Sequence, residues 1–221
     1  MDLYKRNPHN GGDPDSIVLF LHGLGADGTD LIGIAQYWAE ELPNTLFLSP
    51  DAPEVCDMMP EGAPNPGRQW FSLKTWTPES VYEGVTRASR YLGAFMDHHL
   101  EENNLPAEKI ALVGFSQGAM VGLYTALSRK SQIACICAYS GALVGDQDLA
   151  ERDHISKPPV FLRHGKDDMV VPVSSFKHAK KALENLGVTV TGEAVPNLAH
   201  GIDDEGIKKG GAFLKSYLGQ S

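Results

Sequence analysis

The chain has 221 residues, 42% of them hydrophobic and 21% charged, which fits one mid-sized domain spanning 1–221 and excludes collagen, coiled-coil and disordered classes. Its 28 acidic residues outweigh 19 basic ones, for a formal charge of −9; this argues against a nucleic-acid partner, because phosphate binding needs a concentrated surplus of Lys and Arg. The three cysteines cannot all pair internally, and Cys135 and Cys137 fall on one face of a single apolar run, so buried free thiols, a reducing compartment and a cytoplasmic location are expected. The polar residues 1–12 offer no signal-peptide core. No segment approaches the roughly 18 apolar residues of a membrane span, so no stable membrane insertion is expected.

In chain order, the β-branched run 17–21 ends abruptly at His22-Gly23 and reads as a buried strand closing on a glycine loop. A helix follows, capped by Thr29 or Asp30, with Leu31, Ile34, Ala35, Trp38 and Leu42 at helical spacing until Pro43. A strand is expected at 45–49. From 50 to 78 the periodicity dissolves into prolines interleaved with Met58, Met59, Trp70, Phe71 and Trp76; an irregular loop of this length predicts a functional role over the site. Residues 79–103 carry one helical stripe. After it come a strand at 110–115, a helix at 117–127, strands at 133–139 and 160–164, a helix at 173–186, a strand at 188–195 and a last helix at 202–217. This alternation predicts an α/β fold with a mostly parallel central sheet and helices on both faces. In such sheets chemistry belongs at the carboxyl ends of the strands.

Gly114-Phe115-Ser116-Gln117-Gly118 matches the G-x-S-x-G elbow, in which a strained strand-to-helix turn exposes a serine hydroxyl. An apolar strand pattern runs into it and a helical pattern runs out. A serine needs a base within hydrogen-bond reach. Of the eight histidines, His200 alone follows the last strand and precedes the final helix, in the chain order nucleophile, acid, histidine. His22 and His164 end strands in His-Gly turns and read as structural. The acid should lie between them just after a strand. Asp167 and Asp168 both qualify, and position alone leaves them near parity. For the oxyanion, one backbone N–H comes from Gln117, the residue after the serine, and the other from the loop His22-Gly23-Leu24-Gly25.

With these pieces the chain resembles the bacterial carboxylesterase and acyl-protein thioesterase family, the phospholipase/carboxylesterases. The likeness runs through Leu21-His22-Gly23-Leu24-Gly25-Ala26-Asp27-Gly28, Pro50-Asp51-Ala52-Pro53, Trp70-Phe71, the elbow with Ala119, His164-Gly165-Lys166-Asp167-Asp168 to Val171-Pro172, and the loop ending at His200. It implies the α/β-hydrolase fold, Asp168 as the triad acid, and Leu24 with Gln117 as oxyanion donors. Met58, Met59, Trp70, Phe71 and Trp76 are the expected acyl pocket. Two departures fall there: Ser72 replaces the family's usual aspartate, and 58–66 is longer and richer in proline. The expected activity is hydrolysis of short to medium acyl esters, without cofactor or metal. A thioesterase or lysophospholipase uses the same triad, and a non-catalytic binding protein of this fold would lack a triad member. The expected partner is a small-molecule ester or acylated substrate. The family implies a homodimer, though no surface stripe demands one.

Overall fold

In chain order the described residues of this computed structural model, 2–60 and 62–219, form β1 (Leu3–Arg6), β2 (Ser16–Leu21), α1 (Thr29–Ile32), α2 (Ala35–Trp38) and β3 (Thr45–Pro50). A two-stranded excursion, β4 (Glu54–Val55) and β5 (Arg68–Gln69), precedes the long α3 (Pro78–Glu102). Then come β6 (Ile110–Phe115), α4 (Gln117–Ser128), β7 (Cys135–Tyr139), α5 (Asp146–Glu151), β8 (Val160–Gly165), α6 (Val173–Asn185), β9 (Val190–Val195) and α7 (Asp204–Leu218). The readings of the arm 1–12, the loop 50–78 and the domain 1–221 each include one or more of Met1, Glu61, Gln220 and Ser221, which lie outside the described residues.

The central sheet has the order β1-β3-β2-β6-β7-β8-β9, parallel throughout except that β1 runs antiparallel to β3. The strand β2 shows why helices must cover both faces. Ile17, Leu19 and Leu21 enter one core with Val85, Leu92 and Met96 of α3 and Leu183 of α6. Val18 and Phe20 point the other way, onto Leu31 and Trp38 of α1 and α2 and Leu214 of α7. This is the α/β-hydrolase architecture. The order reverses between β3-β2 and β2-β6, and at such a switch point the loops beyond the strand ends diverge to leave a crevice.

The helix expected from residue 29 to Pro43 is two short helices. Gly33 separates them, and Ile34 and Tyr37 donate to carbonyls only three residues back, Leu31 and Ile34, at 3.0 Å each. The apolar stripe survives because Trp38 is tied down by its indole N–H to the Ile207 carbonyl at 2.9 Å. The helix α3 starts where Thr77 and Ser80 cap each other reciprocally with Pro78 in the first turn.

Candidate active site

The strand β6 drives straight into Ser116, whose backbone is forced to φ 52°, ψ −117°. A side chain at Gly114 would lie 2.6 Å from the Ala119 Cα, and one at Gly118 would lie 2.1 Å from the Leu21 carbonyl oxygen. Only glycine lets strand and helix pass this closely, and the turn places the serine just beyond the carboxyl end of β6. Its hydroxyl donates to His200 Nε2 at 2.9 Å.

His200 is carried beyond β9 by a loop pressed onto the end of β8: Lys166 and Asp167 donate backbone N–H bonds to Val195 and Leu198. The Phe115 ring packs 4.8 Å from the imidazole, centroid to centroid. On the far side, His200 Nδ1–H donates to Asp168 Oδ2 at 2.7 Å. Burial by itself would raise the Asp168 carboxyl, but the His200 hydrogen bond and the N–H groups of Val171 and Val170 outweigh it and hold it below the usual carboxylate range. Asp167 is exposed and points its backbone, not its carboxylate, into this network. The structure therefore brings Ser116, His200 and Asp168 into one hydrogen-bonded chain, able to move the serine proton onto a neutral imidazole held in one tautomer.

The loop after β2 lies against the serine, for a side chain at Gly23 would fall 3.4 Å from Ser116 Cβ. This puts Leu24 beside the elbow. Gln117 opens α4, so its N–H is among the four donors that a helix start leaves without an intrahelical partner. The expected acyl-pocket residues divide. Trp70 and Phe71 have no exposed surface; the Trp70 indole N–H donates to the His22 carbonyl at 2.9 Å, and Phe71 packs under Gly84 of α3. Met58, Met59 and Trp76 are exposed. Trp76 alone of the five lines the groove of about 770 Å³ between the start of α3 and the segment leaving β7, with Val81, Tyr82, Leu143 and Val144. The floor of that segment reaches the elbow, since a side chain at Gly141 would lie 3.3 Å from the Ser116 carbonyl oxygen.

Residues 9–218 match the sequence model of the phospholipase/carboxylesterase family. The chain belongs to that family. It is 27% identical to acyl-protein thioesterase 1 of Gibberella zeae over 91% of this chain and 90% of that one, and 26% identical to esterase YpfH of Escherichia coli over 87% and 78%. Among solved structures it superimposes on esterase PE8 with a TM-score of 0.89, 35% identity and coverage of 97% and 98%. Arabidopsis thaliana SOBER1 follows at 0.79, with 27% identity over 92% and 99%. The chain is thus an enzyme of the serine-hydrolase kind.

This phospholipase/carboxylesterase also holds a buried cation that composition and spacing did not reveal. Arg163 of β8 is 3% exposed and grips Asp203 with Nε and Nη2 at 2.7 and 2.6 Å while Nη1 takes Glu193 at 2.7 Å. Asp203 in turn caps α7 through the Gly206 N–H at 3.1 Å. A charged residue inside the apolar run of β8 was the available signal, because Arg is rarely buried unless paired. Elsewhere, His98, His99 and Glu102 of α3 have ligand atoms within 4.8 Å of one another, a geometry that could hold a metal ion. None of them belongs to the Ser116 network.

Proposed function

We propose that the chain is a serine carboxylesterase acting on short to medium acyl esters. The observation that carries this reading is the unbroken chain from Ser116 Oγ through both nitrogens of His200 to Asp168. As Ser116 Oγ attacks the acyl carbonyl, His200 Nε2 takes its proton, and Asp168 stabilises the imidazolium. The N–H groups of Leu24 and Gln117 receive the oxyanion. His200 then passes the proton to the leaving oxygen, and the acyl group remains on the serine. Water, deprotonated by the same nitrogen, attacks the acyl-enzyme, releases the acid and restores the hydroxyl. These steps call for no metal or cofactor. The acyl chain takes the groove beside Trp76, where Val81, Tyr82, Leu143 and Val144 offer it apolar surface and Glu79, Asp146, Asp148 and Glu151 line the rest. Three buried thiols support a cytoplasmic setting, and no helix of the described residues is long and apolar enough to cross a membrane.

A thioesterase reading is favoured by the likeness to the fungal relative, acyl-protein thioesterase 1, and the same atoms would perform it. One experiment tests both. A fluorophosphonate probe should label the wild-type chain at Ser116, and Ser116→Ala should abolish labelling and lower kcat by about 10⁴- to 10⁶-fold on p-nitrophenyl esters or acyl-coenzyme A. Activity within tenfold of wild type in Ser116→Ala sinks the proposal. Whichever substrate series gives the higher kcat/KM decides between ester and thioester.

A further inference from the structure

Leu24 sits in a loop with glycine on either side, and Gly25 has φ 80°. Such a segment has little conformational preference of its own. Its shape must come from what surrounds it, and a large part of those surroundings is one short stretch of the long loop, residues 67–71. Gly25 N–H donates to the Arg68 carbonyl at 2.8 Å, and Arg68 N–H donates back to Ala26 at 2.7 Å. Gly67 lies so close that a side chain there would fall 2.0 Å from the Gly25 carbonyl oxygen. One residue before the glycines, the His22 carbonyl accepts the Trp70 indole N–H. The His22 ring closes the turn from below: Nδ1–H donates to the Gly23 carbonyl at 2.7 Å, and Nε2 accepts the Ala52 N–H at 2.9 Å.

The same stretch is bound to the other donor. The Gln117 side chain is buried, and its two ends divide their work: Oε1 accepts the Trp70 N–H, and Nε2 donates to the Phe71 carbonyl, both at 2.8 Å. Thus the residue whose N–H faces the elbow also clamps the segment that shapes the Leu24 loop. We propose that the Gln117 amide and the Trp70 indole are positioning residues that set the spacing between the Leu24 and Gln117 N–H groups. Segment 67–71 is then a structural strut of the oxyanion site. This rests on the serine-esterase reading given above, with Leu24 and Gln117 as donors. It adds a role for two side chains that touch no substrate. The physical reason for such a strut is that an oxyanion site works by being organised before the charge develops, and donors that must be pulled into place during the reaction lose most of their effect.

The test uses Gln117→Met and Trp70→Phe, each of which fills most of the original volume and removes only the polar atoms. Circular dichroism and Tm establish that each variant folds, and exhaustive fluorophosphonate labelling counts the competent serines. On p-nitrophenyl acetate, kcat per labelled serine should fall by about 10- to 100-fold in either variant, below the 10²- to 10³-fold loss typical of deleting a donor outright. KM should stay within about threefold. A trifluoromethyl ketone, whose tetrahedral adduct places an oxyanion in the site, should lose affinity by the same factor as kcat. The double variant should lose little more than the worse single one, because both act on the same geometry. Folded variants that keep kcat and ketone affinity within threefold overturn the proposal. So does a loss confined to KM, or a fall in activity without a fall in ketone affinity. A wild-type chain that the fluorophosphonate does not label refutes the esterase reading itself, and this inference with it.

Discussion

Asp168 is surrounded by donors on every side. Its side chain is fully buried; Oδ1 accepts from the Val170 and Val171 N–H groups at 2.9 and 2.8 Å, and Oδ2 accepts from His200. The neighbouring His164 Nε2 stands 3.3 Å from Oδ2 while donating to the Val171 carbonyl at 2.7 Å. Because its carboxyl is held below the usual range, Asp168 stays ionised at neutral pH, and protonating it would cost stability as pH falls through its lowered folded-state value. The adjacent Asp167 has the same chemistry and none of these partners; the two carboxylates looked equivalent in the sequence because burial and hydrogen bonding, which separate them, appear only in the fold. Asp168→Asn should lower kcat by about 10⁴-fold, as an amide opposite Nδ1 favours the wrong histidine tautomer. Asp167→Asn should stay within about threefold. Steady-state kinetics on p-nitrophenyl acetate ranks them, and the reverse order would move the role to Asp167.

At the scale of elements, the attachment of α7 lies close in the chain to His200. Asp203 starts that helix three residues after His200, and the bidentate grip of Arg163 fixes it to β8. The Arg163 hydrogen bonds depress the Asp203 carboxyl, and those of Lys209 and Arg163 depress Glu193. Depressed carboxylates contribute stability above their unfolded pKa values and lose it as pH falls through the folded ones. Arg163→Met should therefore leave two carboxylates without their buried partner, lower Tm, and shrink the loss of Tm between about pH 5 and pH 2 relative to wild type. Differential scanning calorimetry across that range checks it, and an unchanged acid slope would refute the assignment. The apolar parallel strands were legible because burial on both faces leaves continuous runs such as 17–21. The strand β1 was not: in the edge strand Leu3-Tyr4-Lys5-Arg6 only Leu3 and Tyr4 are part-buried, and they are adjacent, so no alternation shows. The pair β4 and β5 is two residues per strand, too short for any period to register. The helix α5 has only Leu149 buried, so it carries no stripe.

For the whole molecule, burial redistributes the roles expected in the long loop. Trp70, read in the sequence as an acyl contact, is buried against His22 and Gln117, where we propose that it positions the oxyanion donors, while Trp76 lies on the groove. Each methylene entering an apolar groove is worth about 0.8 kcal/mol, or roughly fourfold in kcat/KM. With p-nitrophenyl esters of rising chain length, kcat/KM should climb and then fall once the groove is full. Trp76→Ala should flatten the climb and spare the acetate ester, whereas Trp70→Ala should depress every chain length alike. A climb untouched by Trp76→Ala would show that the acyl chain lies elsewhere. The order in which the working parts occur along the chain matters for another reason. Leu24, Ser116 and Asp168 precede His200, which stands 84 residues beyond the serine and reaches it only when β9 has paired with β8. A chain growing on the ribosome from its N-terminus presents its serine before the proposed base has been made. If Ser116 needs His200 as its base, as proposed above, hydrolysis is withheld until synthesis has passed the loop beyond β9.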